Sequence, residues 1–403
     1  MIDTGLNKLL KLSNYFESTR KSHLLVGFLA GLLLVQFVPP APPFSPNLGR
    51  ATYWQSYETS YFASLKSYEK VVAESLNSGE IPLIIFGDST IRGTGANGAE
   101  VWTKVLEGKL QQLDPRIEVI NLAQNAGDLV GPFLYHHLQR KFPQAYYIVQ
   151  WHFPSEVGVR HPFHYWLTSE IALRNKQINP AVARSFSIAP IWENKLTSYL
   201  RSGFSVEQSS FLLAGMNIAT NYLDLGNWFR YLLLGYPTIT SQRIPVILPL
   251  RNAKDKEFPR RSFKLPDIHQ IEEMKKIFVD QEKARQVYLN EPFEKHQNYF
   301  KEMFPSSQRT NLYLLTLDFN PYYAPNQDTT INSAWARNRK VLNKAMEKIP
   351  DLKWISLSGS QGDFEINDYI DLSHLTPNGQ SKLATSVYQF ILDHPFWNHQ
   401  ETR

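Results

Sequence analysis

Short apolar runs at 82–86 (PLIIF), 117–123 (IEVINLA) and 145–151 (AYYIVQW) alternate with stretches of helical period at 100–113 and 129–142. A compact apolar run bounded by proline and glycine reads as a strand buried on both faces. Strands joined by helical crossovers must lie parallel in one sheet, with the helices packed over it. After a long interruption the rhythm resumes with a strand at 312–319, a helix at 331–349, a strand at 352–358 and a last helix at 377–392. The expected fold class is therefore α/β, a three-layer α/β/α parallel sheet. The interruption, about 155–305, carries little strand signal and reads as a large helical insertion. Within it, 211–237 is apolar but contains Asn, Asp and Arg and reads as a core helix. Residues 267–304 form a charged helical stretch, and 251–264 a basic, proline-broken loop. No internal repeat is visible. One domain, 81–403, is expected.

The N-terminus follows different rules. Leu24 to Val38 is uncharged and apolar, and a Pro/Ala/Phe tail extends it to Phe44. Lys8, Lys11, Arg20 and Lys21 precede it, and no charge follows until Arg50. About 20 apolar residues cross a bilayer, and the positive-inside rule keeps the basic side in the cytoplasm. The expectation is a cytoplasmic segment at 1–21, a membrane anchor at 22–44 and a helical approach segment at 45–80. The main alternative is a cleaved signal peptide, but the lead is long and lacks a clear A-x-A site. A bacterial cytoplasmic (inner) membrane protein with its domain outside the cytoplasm follows. The 403-residue chain has a net charge of +5 and no arginine-rich tract or zinc-knuckle spacing, so no nucleic-acid partner is expected. It has no cysteine, which removes disulfides, thiolate nucleophiles and cysteine-ligated metals.

Chemistry gathers at the carboxyl ends of parallel strands. Ser89 stands at such an end, in Gly87-Asp88-Ser89. Alone, a serine there is as well explained as a loop or cap residue. The second feature lies far along the chain, in 369–384 (YIDLSHLTPNGQSKLA), where Asp371 and His374 stand just before a helix opened by Thr376 and Pro377. Asp371 could be a turn residue and His374 a packing group. The same spacing lets an aspartate fix the tautomer of a histidine whose other nitrogen activates a serine. The order Ser, Asp, His also suits α/β-hydrolases, but their G-x-S-x-G elbow is missing, since Ile91 stands where the second glycine would be.

"FGDS" after the first buried strand and "DLSHLTPNG" before the last helix resemble the SGNH/GDSL hydrolase superfamily. The resemblance spans about 82–392 and implies a flavodoxin-like SGNH fold. It makes Ser89 the nucleophile, His374 the base and Asp371 its orienting acid. The family's second block supplies an oxyanion donor after the second strand. Here that region is 121–131 (NLAQNAGDLVG), and the donor is Gly127 or Ala126. The family's third block contributes an Asn, whereas this chain reads IVQWHFPSE at 148–156. Gln150, Trp151, Asn125 and Asn320 are the candidate substitutes. The Gln-Trp pair, the helical insertion and the N-terminal anchor look like the D-alanyl transfer proteins of teichoic-acid modification. They are also similar to membrane-anchored SGNH proteins of polysaccharide O-acetylation.

The resemblance implies a serine esterase or O-acyltransferase that acts on acyl esters, acetyl or D-alanyl, of a cell-envelope or exported polysaccharide. The implied substrate is an acylated glycopolymer or a small acyl ester, and the implied partner a membrane-bound O-acyltransferase. No metal or organic cofactor is implied. Two other readings stand beside it: a non-catalytic SGNH-fold adaptor that binds polymer or the acyltransferase, and a GDSL lipase. His136, His137, His152, His161 and His164 lack metal-ligand spacing and read as loop or surface residues. The glycines of 93–98 lack the Lys-Ser/Thr of a phosphate-binding loop.

Overall fold

The apolar runs form five parallel strands. In the computed structural model they are β1 (Ile81–Phe86), β2 (Ile117–Asn121), β3 (Tyr146–Gln150), β4 (Leu312–Leu317) and β5 (Lys353–Leu357). The structure describes residues 22–23, 26–27, 29–31, 33–41, 63–93, 96, 100–124, 130–151, 167–168, 170–171, 173–174, 206–234, 300–301, 304–306, 309–317, 349, 351–357, 364–370 and 374–395. The helices are α1 (Leu65–Asn77), α2 (Ser89–Arg92), α3 (Trp102–Leu110), α4 (Val130–Lys141), α5 (Val206–Leu234) and α6 (Pro377–Asp393). The expected helix at 331–349, apart from Ile349, and most of the expected insertion lie outside the described residues.

The strand order is β2-β1-β3-β4-β5. Each pair is parallel, in a register that sets Phe86 opposite Val149 and Gln150 opposite Leu315. Strand side chains alternate between two faces, and each face has its own core. Ile84, Phe86, Tyr147, Val149 and Leu314 pack with Tyr68 and Val72 of α1 and with Phe133 and Leu138 of α4. Leu83, Ile85, Ile148, Tyr313 and Leu315 pack with Trp102 and Leu106 of α3 and with Leu383 and Val387 of α6. The layers are thus helix, sheet, helix. At about 25 cal/mol per Å², such double-sided burial is the main force holding the strands central.

The order reverses between β1 and β3. From β1 the chain moves outward to β2, then returns to place β3 on the other side. At such a switch point the loops leaving the two neighbouring strands diverge and open a crevice at the carboxyl edge. Ser89 follows β1 and Gln150 ends β3, so both border it.

The expected anchor falls only partly on described residues. Those between Ser22 and Val35 are helical. Among the described residues, no helix is long and apolar enough to cross a membrane. Of the stretch read as a core helix, 211–237, the described part up to Leu234 lies in α5, but one side of it is uncovered: Tyr222 and Phe229 are 44% and 52% exposed.

Candidate active site

β1 delivers the serine. All six of its residues are buried, and Gly87 continues the strand into a tight turn. A Cβ on Gly87 would lie 2.6 Å from Gln150 Oε1 and 2.6 Å from Ile91 Cβ, so only glycine fits between β3 and the following turn. Asp88 is the N-cap of α2: its Oδ1 accepts from Thr90 N at 2.8 Å and from Ile91 N at 3.4 Å. The cap is therefore Asp88 and not Ser89, which leaves the serine hydroxyl for other work. Gly93 closes the turn in the left-handed region at φ 87°. The Ile91 carbonyl accepts from Trp102 Nε1 at 2.6 Å and from Asn121 Nδ2 at 3.2 Å, which braces α2 against α3 and β2. Gln124 N donates to Gly87 O at 2.9 Å, so the chain leaving β2 passes directly beside the serine turn.

The histidine arrives from the other end of the chain. Ile370 N donates to His374 O at 2.8 Å, Thr376 N donates to Asp368 O at 2.8 Å, and Tyr369 pairs with Leu375 in an antiparallel bridge. These bonds close a small loop and fix His374 at its base, next to the bridge. Asp368, fully buried, ties that loop to α6. Its carboxylate accepts from Glu365 N at 2.7 Å and from Asn378 Nδ2 at 2.6 Å, and pairs with Lys382 Nζ at 2.7 Å. Thr376 caps α6 by accepting from Gly379 N, and Pro377 occupies the first turn, where its missing N–H costs nothing. A Cβ on Gly379 would lie 2.3 Å from Asp368 O. The sequence TPNG thus reads as cap, helix start, carboxylate ligand and close-approach glycine.

These two constructions meet. His374 Nε2 lies 2.8 Å from Ser89 Oγ, across a sequence separation of 285 residues. His374 is 8% exposed, and Ser89 is half-buried. When the histidine carries its proton on Nδ1, the hydroxyl donates to Nε2 along the line of proton transfer. Asp371, the residue expected to hold that tautomer, lies outside the described residues. So do Asn125, Ala126, Gly127 and Asn320.

Gln150 and Trp151 are adjacent but serve opposite faces. Gln150 is 1% exposed, and its Oε1 accepts from Asp88 N at 2.6 Å. A backbone N–H can only donate, so the amide must present its oxygen to the turn and point its NH₂ group away from Asp88. Trp151 packs edge-on against Phe300 and Phe304, with ring centroids 5.5 Å and 5.1 Å away. Its backbone N–H donates to Leu315 O at 2.9 Å and so belongs to the sheet.

The sequence reading did not single out Asp368, Asn121, Gln124 or the bond from Asp88 to Gln150. Asp368 carries no signal of its own in the sequence, and only its contacts with Asn378 and Lys382 of the following helix reveal its role. Among the described residues, no group of His, Asp and Glu could hold a metal ion. His136 is buried in α4, and burial, aided by Arg140, pushes its imidazole down to about 4, so it is uncharged at neutral pH. His137 pairs with Glu69 at 2.7 Å. A scan against protein-family models finds no match for this chain, and no curated protein matches its sequence.

Proposed function

We propose that the protein is a serine esterase or O-acyltransferase that works through an acyl-enzyme. The observation that carries this reading is the 2.8 Å contact between Ser89 Oγ and His374 Nε2 at the switch point of a parallel sheet. A serine hydroxyl is a poor nucleophile at neutral pH and needs an aimed base within hydrogen-bond reach. His374 takes the Ser89 proton as Oγ attacks the carbonyl carbon of an ester. It then gives that proton to the departing alcohol. Water or a second hydroxyl, deprotonated by the same histidine, releases the acyl group.

The negative oxygen of the tetrahedral intermediate needs donors. Ser89 N is the first amide of α2, and among the described residues no acceptor takes it. On this reading it is the first donor to the oxyanion. Gln124 lies beside Gly87, and a second amide is assigned by this reading to one of the residues that follow it in sequence, Asn125, Ala126 or Gly127. Asp371 completes the set as the group that orients His374. The arrangement accords with an SGNH/GDSL-type hydrolase, and with the apolar N-terminal segment it favours an acyl ester on an envelope or exported polysaccharide, handled beside a membrane-bound O-acyltransferase.

The test is a fluorophosphonate probe on the full chain in detergent. Labelling of the wild type that disappears in Ser89→Ala and falls by about two orders of magnitude or more in His374→Ala is expected. Absence of labelling in a folded wild type would overturn the enzyme reading and leave the polymer-binding adaptor.

A further inference from the structure

The helix α5 is turned inside out for a helix in water. Among its described side chains, Asn217, Asn221, Asp224 and Trp228 bond to the rest of the protein. Asn217 Oδ1 accepts from Arg174 Nη2 at 3.1 Å, and Asn221 Nδ2 donates to Gln36 Oε1 at 3.2 Å. The fully buried Asp224 accepts from Ala41 N at 3.2 Å, Ser64 Oγ at 2.9 Å and Ser67 Oγ at 3.0 Å. Trp228 Nε1 donates to Pro39 O at 2.8 Å. Positions 217, 221, 224 and 228 are spaced by four, three and four, which is one face of a helix. The outward face has the same spacing and the opposite chemistry. Gly215, Ala219, Tyr222, Gly226 and Phe229 are all exposed. Between 214 and 229 the sole charged residue is the buried Asp224.

A helix packed on a soluble body normally buries its apolar face and shows its polar one. The reverse order is favourable where the surroundings are hydrocarbon, because polar groups there must find partners inside the protein. Most of the other exposed apolar side chains among the described residues belong to the N-terminal segment. Among the described residues, every exposed large hydrophobic side chain except Leu113 belongs either to α5 or to the N-terminal segment: Val26, Leu29, Leu33, Leu34, Phe37, Tyr222 and Phe229. The bonds to Gln36, Pro39 and Ala41 make the two surfaces neighbours.

We propose that α5 is a second lipid-contacting element, seated on the chain where it leaves the N-terminal helix and presenting the Gly215–Phe229 face to the acyl chains of a phospholipid bilayer. The helix need not cross the bilayer, and its polarity forbids an unaccompanied crossing. This inference rests on the reading of the N-terminal segment as a membrane anchor. It adds that the catalytic body is held against the membrane at two points and has a fixed tilt.

The cysteine-free chain permits a direct test. Four single-cysteine variants, Phe229→Cys, Tyr222→Cys, Leu34→Cys and Leu113→Cys, are labelled with an environment-sensitive fluorophore. All four sites are exposed, and far-UV circular dichroism checks that each variant folds. The full chain is reconstituted in phosphatidylcholine–phosphatidylglycerol vesicles with nitroxide-labelled lipid. Probes at 222, 229 and 34 should lose about half their emission or more, as groups a few ångströms inside the headgroup boundary do, while the probe at 113 should be unaffected. Quenching at 34 with none at 222 and 229 overturns the inference, keeps the anchor and leaves a protein partner as the cover of α5. Quenching at 222 and 229 without 34 supports the lipid contact and sinks the anchor. Quenching at none of these positions overturns both.

Discussion

Replacing the hydrogen of Gly87 by a methyl group would set a carbon 2.6 Å from Gln150 Oε1 and from Ile91 Cβ. Neither neighbour is a free side-chain end: Gln150 holds Asp88 N, and Ile91 is fully buried. Gly87→Ala should therefore displace the serine turn, at a cost of about 1–3 kcal/mol in chemical denaturation, with a much slower fluorophosphonate reaction. Gln150→Met keeps the length and removes the acceptor. It takes the Gln150 acceptor away from the Asp88 N–H, and the expected loss is about 1–3 kcal/mol, again with slower labelling. The sequence showed Gly87 and Gln150 at strand ends but not their contact, because neighbours across a parallel sheet are set by register, and register is invisible in a linear reading. Ser89 stood out only in company with His374, and the structure brings that pair together.

At the scale of elements, the His374 loop depends on Asp368 and on the cap of α6. Asp368→Ala removes three bonds and leaves Lys382 without its carboxylate. Lys382 is partly exposed, so the loss should be near 2 kcal/mol, measured by thermal unfolding and accompanied by weaker serine reactivity. Thr376→Ala should cost about 1 kcal/mol. The junction of α1 and α4 responds to acid. Burial alone would raise the Glu69 carboxyl, but the hydrogen bonds and charges of His137 and Lys141 outweigh it and hold the group at about 2. A carboxyl whose folded value lies below its unfolded one stabilises the fold in full above the unfolded value, near 4.5, and loses that contribution as pH falls towards 2. Denaturation at pH 7 and pH 3 should show the wild type losing about 1–2 kcal/mol more than Glu69→Gln. The strands were readable to within two residues because each is a buried apolar run between breakers, and TPNG announced the start of α6. The helix α5 was readable as a helix but not as a core helix. Its composition is mixed, and only the bonding of Asn217, Asn221, Asp224 and Trp228 reveals which side is inward.

At the scale of the molecule, the alternation of strand and helix was enough to foresee a parallel sheet. The position of β3 next to β1, which makes the crevice, was not foreseeable from it, since the run of strands along the chain says nothing of their order in space. That order also decides when the site comes into being. Ser89 follows the first strand of the sheet and His374 stands just before α6, and α6 must return across the sheet to pack on α3 through Trp102 N and Gln380 Oε1. A chain emerging from the ribosome, amino end first, presents its serine long before the histidine exists beside it. On the proposed reading of Ser89 and His374, the pair therefore forms only once the sheet is in place and α6 has packed against α3.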